Sequence, residues 1–311
     1  MARKIDGERR VGESPCPSWL IQSSGAPASV TTAGSLGING AGRVRPAAGI
    51  GMAVDACRCC PIRQGGVCGD LPDPDITLMP APVQVIATGH DLFSQGEPCR
   101  HVFMILEGWV CLYELLEDGR RQILHFALPG DMVGFRPDSR TLPFGAQALN
   151  QVRLCAIPRL RLIEAARTNP DLAFRIVGML YDDGAEAYER LTSIGRKTAL
   201  ERVATLLLEL FFRLRRRIPL AHGETVQIPL TQTHIADAVG LTAVHVNRML
   251  GLLRQKGIID YGNGVFRILA PARLLQIAGA DAQGMAGQAD QPVKRNLQFS
   301  APCSQVEQLR H

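Results

Sequence analysis

The stretch LTQTHIADAVGLTAVHVNRMLGLLRQKGII, residues 230–259, holds two short amphipathic segments joined by one glycine. Thr231 stands where a side-chain oxygen can cap the first segment, whose apolar face is Ile235, Ala236 and Val239. Gly240 can adopt the left-handed backbone of a tight turn at little cost. Thr242 caps the second segment, in which Val246, Leu250 and Leu253 fall at i, i+4 and i+7 and face inward. Turn glycine, caps and periodicity together predict a helix-turn-helix.

The outward face of the second helix carries Val244, His245, Asn247 and Arg248 over its first turns. In a helix-turn-helix that end of the recognition helix enters the major groove. Arg248 can give guanine O6 and N7 a bidentate pair, about 1–3 kcal/mol of discrimination. Asn247 can meet adenine or a phosphate, His245 a phosphate, and Val244 a thymine methyl. With the capping Thr231 and Thr242, these four residues are the expected DNA-contacting set. Residues 258–269 (IIDYGNGVFRIL) then predict two short strands about Gly262-Asn263-Gly264, a hairpin that serves as a wing.

Charge agrees with this placement. The formal net charge of the 311 residues is +5, too small to imply nucleic acid by itself. Between 199 and 277, however, ten Lys or Arg face five acids, so the positive excess lies in the segment expected to meet phosphates. Composition, 46% apolar and 20% charged, predicts a mostly globular chain. No apolar run reaches the roughly 18 residues of a membrane span, and the basic N-terminus lacks a following apolar h-region. The expected location is the cytoplasm.

Upstream, the period becomes helical over residues 158–217. Val177, Leu180, Gly184, Ala187, Leu191 and Ile194 recur at steps of 3 and 4, which predicts a dimer seam on a helix over 161–198. The small Gly184 and Ala187 weaken its middle, as suits an association that can be switched. Between 75 and 158 short apolar runs at 102–106, 109–115 and 122–128 alternate with turns at Glu107-Gly108, Asp118-Gly119 and Pro129-Gly130-Asp131. That spacing predicts a β-sandwich or barrel. Residues 1–54 and 278–311 are rich in small and polar residues without hydrophobic period, and disordered extensions are expected there. The expected divisions are therefore a sensor domain over 55–160, the helix over 161–198 and a DNA-binding domain over 199–277.

Of nine cysteines, three cluster at Cys57, Cys60 and Cys68, with two and seven residues between them, and Cys155 stands alone downstream. In a reducing compartment such a cluster points to metal rather than disulfides. Four thiolates suit an iron–sulfur cluster or a structural zinc equally. A dithiol redox enzyme built on Cys57 and Cys60 lacks the βαβ setting such pairs use. No other nucleophile–base arrangement or phosphate loop occurs, so a non-enzyme is expected. Cys99 and Cys111 lie in strand-like surroundings and read as packing residues.

At this point the chain resembles the Crp/Fnr family of bacterial transcription regulators over about residues 57–277. The resemblance is carried by VFMILEGWVCLYELLEDGRRQILHFALPGDMVGF at 102–135, the long helix and the winged helix-turn-helix. It implies an α+β architecture: a cyclic-nucleotide-binding-like β-roll, a long dimerisation helix and a C-terminal winged helix-turn-helix. It also implies a homodimer that binds a pseudo-palindromic operator and contacts RNA polymerase, as an activator does. CRCCPIRQGGVCGDL (57–71), GDMVGF (130–135) and VRLCAIP (152–158) are similar to the FNR branch. That likeness implies an oxygen-labile [4Fe-4S] cluster, open to nitric oxide as well, on Cys57, Cys60, Cys68 and Cys155. Zinc is the alternative, and Cys59 is an extra thiol in the loop.

Two departures matter. Phe135 stands where a nucleotide-binding relative has Glu, and Phe144-Gly145 where it has Arg-Ser, so no cyclic nucleotide is expected. Val244 replaces a Glu that would accept from cytosine N4, which leaves the guanine matched to Arg248 as the safest base of the half-site.

Overall fold

The computed structural model describes residues 67–70, 83–138, 140–217, 228–262 and 265–279. Cys57, Cys59 and Cys60 lie outside them, as do the expected extension at 1–54 and the wing-turn residues Asn263 and Gly264. The chain forms two compact units, one ending at Arg190 and the other beginning at Leu191.

The first unit holds eight strands: β1 (Val83–Ile86), β2 (Asp91–Phe93), β3 (His101–Glu107), β4 (Val110–Leu115), β5 (Arg121–Ala127), β6 (Met132–Val133), β7 (Gly145–Ala148) and β8 (Val152–Pro158). They pair antiparallel in two four-stranded sheets, in the orders β1-β8-β3-β6 and β2-β7-β4-β5. At the β3–β4 turn Gly108 has φ +88°, and a Cβ there would run into the Gln151 carbonyl, so only glycine fits.

Strand alternation decides what each sheet buries. Val152, Leu154 and Ala156 of β8 join Ile86, Phe93, Ile105, Val110, Ala146 and Ala148 in one apolar cluster drawn from both sheets. The intervening Cys155 and Ile157 join Val102, Met104 and Met132 in a second cluster. Two helices complete that second cluster: α1 (Arg159–Thr168) through Leu162 and Ala165, and α2 (Pro170–Arg196) through Leu172 and Ile176.

Where one helix over 161–198 is expected, the structure thus has two. Asn169 adopts an extended backbone (φ −124°, ψ 99°) and its N–H closes α1 on the Ala165 carbonyl. Its side-chain oxygen accepts from the Leu172 N–H at 3.1 Å and opens α2, with Pro170 at the first helical position.

In the second unit, α3 (Ala199–Arg217) packs against α4 (Gln232–Val239), α5 (Ala243–Gln255) and α6 (Pro271–Ile277). Its apolar stripe, Val203, Leu206, Leu207, Leu210, Phe211 and Leu214, follows the helical period and is buried throughout. Strands β9 (Ile259–Gly262) and β10 (Val265–Ile268) pair antiparallel, and Tyr261 stacks on Phe266 at 4.2 Å. The core runs past the expected boundary at 277: Ala278 is fully buried, and its carbonyl accepts from Lys197 Nζ at 2.9 Å. No described helix is long and apolar enough to cross a membrane.

Candidate nucleic-acid interface and thiol centre

Helix α4 opens on a reciprocal cap. The Thr231 hydroxyl accepts from the His234 N–H at 3.1 Å, and the Thr231 N–H donates to His234 Nδ1 at 3.3 Å. It ends on Gly240 in the left-handed region, φ 67° and ψ 41°. Thr242 then caps α5 by accepting from the His245 N–H at 3.3 Å. Val246, Met249, Leu250 and Leu253 are buried and fix the rotation of α5.

That rotation leaves Val244, His245, Asn247 and Arg248 exposed on one side, with Val244 82% accessible. Thr231 and Thr242 are exposed as well. Arg248 engages no side chain among the described residues, so its guanidinium is available for a partner. Asn247 is engaged on one edge: its Oδ1 accepts from Gln232 Nε2 of α4 at 3.1 Å. Sequence reasoning missed Gln232 because it treated the outward faces of the two helices separately. The arrangement offers a cationic fork, an amide and an apolar tip, a donor-rich surface suited to base edges and phosphates.

Of the four cysteines expected to act together, two can be placed. Cys68 lies in a short 3-10 helix, Val67–Asp70, where Val67 is fully buried in the cluster that contains Cys155. Cys68 itself is half-buried and packs against the same cluster. Cys155 sits on β8, opposite Val83 of β1 and Met104 of β3, and is 6% exposed. Cys57 and Cys60 lie outside the described residues, and among the described residues no group of three or more His, Cys, Asp or Glu is placed to hold a metal. Cys99 and Cys111 are buried elsewhere; the Cys99 thiol donates to the Gly134 carbonyl at 2.8 Å. Burial pushes the Cys111 thiol up to about 11, so it stays protonated at neutral pH.

At the positions where a nucleotide-binding relative has Glu and Arg-Ser, apolar packing prevails. Phe135 packs on the cluster around Cys155, and Phe144 on the cluster drawn from both sheets. Gly145 lies under the Tyr113 ring: a Cβ there would stand 2.7 Å from its Cζ. The Tyr113 hydroxyl donates to Asp91 Oδ2 at 3.0 Å, and burial, then Asp91, push its pKa up to about 12.

The expected seam on α2 is only partly the exposed stripe. Val177 and Leu191 are exposed and Gly184 is half-buried, in one heptad register. Leu180 and Ala187 are exposed, but Ile194 is half-buried, and its Cγ2 would lie 3.9 Å from a Cβ on Gly240. The large apolar groups that α2 leaves most open are instead Phe174, Tyr181 and Tyr188, each about three-quarters accessible and seven residues apart.

Comparison with known proteins agrees with this architecture. Residues 83–169 match the cyclic nucleotide-binding domain family and residues 201–277 the Crp-like helix-turn-helix domain family. The chain is 32% identical to the nitrogen fixation regulation protein FixK of Bradyrhizobium diazoefficiens, over 72% of its own length and 94% of the relative's. It is 30% identical to the transcriptional activator protein FnrL of Cereibacter sphaeroides, over 73% and 94%. The solved structure of FixK2 from Bradyrhizobium japonicum superposes with a TM-score of 0.60 at 31% identity, covering 66% of this chain and all of that one. These relatives regulate transcription and are not enzymes. Roll, helices and winged helix-turn-helix thus agree in order, residues and fold, and the chain belongs to the Crp/Fnr family as a DNA-binding transcriptional regulator.

Proposed function

We propose that this regulator is a cytoplasmic, oxygen-responsive activator that binds a pseudo-palindromic operator as a homodimer and contacts RNA polymerase. Cys57, Cys60, Cys68 and Cys155 would hold a [4Fe-4S] cluster, and no cyclic nucleotide takes part. The observation that carries this reading is the shared packing of Cys68 and Cys155 against one apolar cluster that also contains Leu172 and Ile176 of α2. Donor chemistry fits: thiolate sulfur is the usual ligand of such clusters, and apolar side chains around Cys155 limit access of water. FnrL, the Anr proteins and FnrA, similar to this chain, are described as transcriptional activators, which supports the sign of regulation.

When bound, the group supplies sensitivity to oxygen or nitric oxide. Everything else falls to the chain. Val67 and Cys68 anchor the cysteine segment on β8, and Leu172 and Ile176 carry that packing into the first turns of α2. Loss of the anchor changes the support of α2, and with it the face that pairs with a second copy. Two recognition helices then lose their fixed spacing, about 34 Å for successive major grooves. Bivalent docking makes operator affinity steep in dimer strength, so a coupling of about 1–3 kcal/mol is enough for a response.

Anaerobic purification with iron and acid-labile sulfide analysis tests the reading. Four irons and four sulfides per chain, together with operator binding that air abolishes, are expected. A colourless protein containing zinc, or equal binding before and after air, would replace oxygen sensing with a regulator of different trigger.

A further inference from the structure

We infer that Gln232, at the first position of α4, is a positioning residue for DNA recognition: it orients Asn247 so that this side chain meets the operator as a hydrogen-bond donor. The inference rests on the reading of the α5 surface as the operator-contacting face. A free asparagine amide presents one acceptor and one donating group and can turn either edge outward. Here the turn is set. Gln232 Nε2 donates to Asn247 Oδ1 at 3.1 Å, across the two helices of the motif. Both helices are held by their own caps, Thr231 with His234 and Thr242 with His245, so the bridge joins two fixed frames. Asn247 is exposed, and among the described residues its Nδ2 has no hydrogen-bond partner.

A consequence for recognition follows. Bidentate reading of adenine needs Oδ1 to accept from N6 while Nδ2 donates to N7. With Oδ1 turned to Gln232, Asn247 offers Nδ2 alone. Its partner is therefore an acceptor: purine N7, guanine O6 or thymine O4 on a base edge, or a phosphate oxygen. Cytosine, whose major-groove edge offers a donor, is disfavoured at that position. Arg248, the next residue, reads a neighbouring guanine on the same face.

The test is selection of half-sites from a randomised duplex library by the full chain under anaerobic conditions, with affinity measured on the selected site and on its variants. Four proteins are compared: wild type, Asn247→Ala, Gln232→Ala and Gln232→Glu. Gln232 is half-buried, and circular dichroism checks the fold of each variant. In the wild type, one position beside the Arg248 guanine is expected to exclude cytosine by roughly tenfold or more. Asn247→Ala should flatten that position. Gln232→Ala frees the amide and should raise the preference for adenine, now read by the bidentate mode. Gln232→Glu can only accept, so it turns the amide round, presents Oδ1, and should move the preference toward cytosine or adenine. If the acceptor is instead a phosphate, the base profile holds while Asn247→Ala and Gln232→Glu weaken binding to all sites alike.

Gln232 variants that reproduce the wild-type profile and affinity would overturn the positioning role while leaving operator binding intact. A wild-type protein that enriches no sequence would overturn the operator reading and this inference together.

Discussion

Arg190 of α2 donates through Nη1 to the Leu124 carbonyl of β5 at 2.6 Å, and its guanidinium carbon lies 5.9 Å from the centre of the Phe126 ring. One helical turn earlier, Glu186 Oε2 stands 3.4 Å from His125 Nδ1 of the same strand. The long helix is thereby tied to the roll by polar contacts on β5, apart from the apolar contacts near Cys155. Arg190→Met keeps the aliphatic stem and removes the donor, so the first unit should lose about 1–3 kcal/mol. Urea unfolding of the roll checks this, and a midpoint equal to wild type would mean that the contact is solvated away.

Much of this architecture is legible in sequence, and the reasons differ by element. The helix-turn-helix is local: caps, turn glycine and buried stripe lie within thirty residues, so spacing alone orders them. The roll is legible as short strands between turns, but not its sheet order, which depends on pairings as distant as β1 with β8. Alternation along VRLCAIP sets Cys155 apart from Leu154 and Ala156, yet only the sheets reveal that its side faces the helices. On α2, one period fits two adjacent stripes that share Val177, Gly184 and Leu191, and spacing alone does not choose between Leu180, Ala187 and Ile194 on one side and Phe174, Tyr181 and Tyr188 on the other. The Asn169-Pro170 break carried a turn signal that the continuous apolar period obscured.

Gly145 should not tolerate a side chain. A Cβ would stand 2.7 Å from Cζ and 2.9 Å from Cε1 of Tyr113, and the Asp91 hydrogen bond holds that ring in place. Gly145→Ala is expected to cost about 1–3 kcal/mol. Tyr113→Leu should lower the cost of that substitution, a coupling that a double-mutant cycle on denaturation free energies would detect. Additive effects would place the strain elsewhere.

Val244 is 82% accessible at the start of the recognition helix, with no packing role to lose. Val244→Glu supplies an acceptor for cytosine N4 and should introduce a cytosine preference beside the base read by Arg248, by about 1–3 kcal/mol. Competition binding with operator variants measures it. A profile unchanged by the carboxylate would show that residue 244 does not reach a base edge.

Glu201 makes a pH-dependent contribution in the second unit. The Thr198 N–H donates to Glu201 Oε2 at 2.7 Å and, with the Thr198 hydroxyl, holds this carboxyl below the usual carboxylate range. Because the folded value is depressed, the contribution is present above the ordinary value of about 4.3 and is lost as pH falls through the folded one. The gap between the melting temperatures of wild type and Glu201→Ala should therefore be full at pH 7 and narrow as the pH falls through the acid range. A gap that persists undiminished in acid would assign the effect to packing rather than to the charged cap.

The proposed self-association supplies the sharpest contrast between neighbouring positions. Phe174, Tyr181 and Tyr188 repeat every seven residues, and Val177, Gly184 and Leu191 do so three residues later, which are the two positions of a heptad seam. Leu180, Ala187 and Ile194 form the alternative half, and Ile194 is half-buried. In a two-fold pairing each substituted residue occurs twice and near its own copy, so a new carboxylate faces its own like charge. Tyr188→Asp should then raise the dimer dissociation constant by about a hundredfold, since it removes aromatic burial and adds repulsion. Ala187→Asp, one position away, should change it by less than about threefold, because exposed charges off the seam are worth little. Sedimentation equilibrium of the two variants, with circular dichroism to confirm intact helices, separates the registers. A larger loss for Ala187→Asp than for Tyr188→Asp would return the seam to Leu180, Ala187 and Ile194.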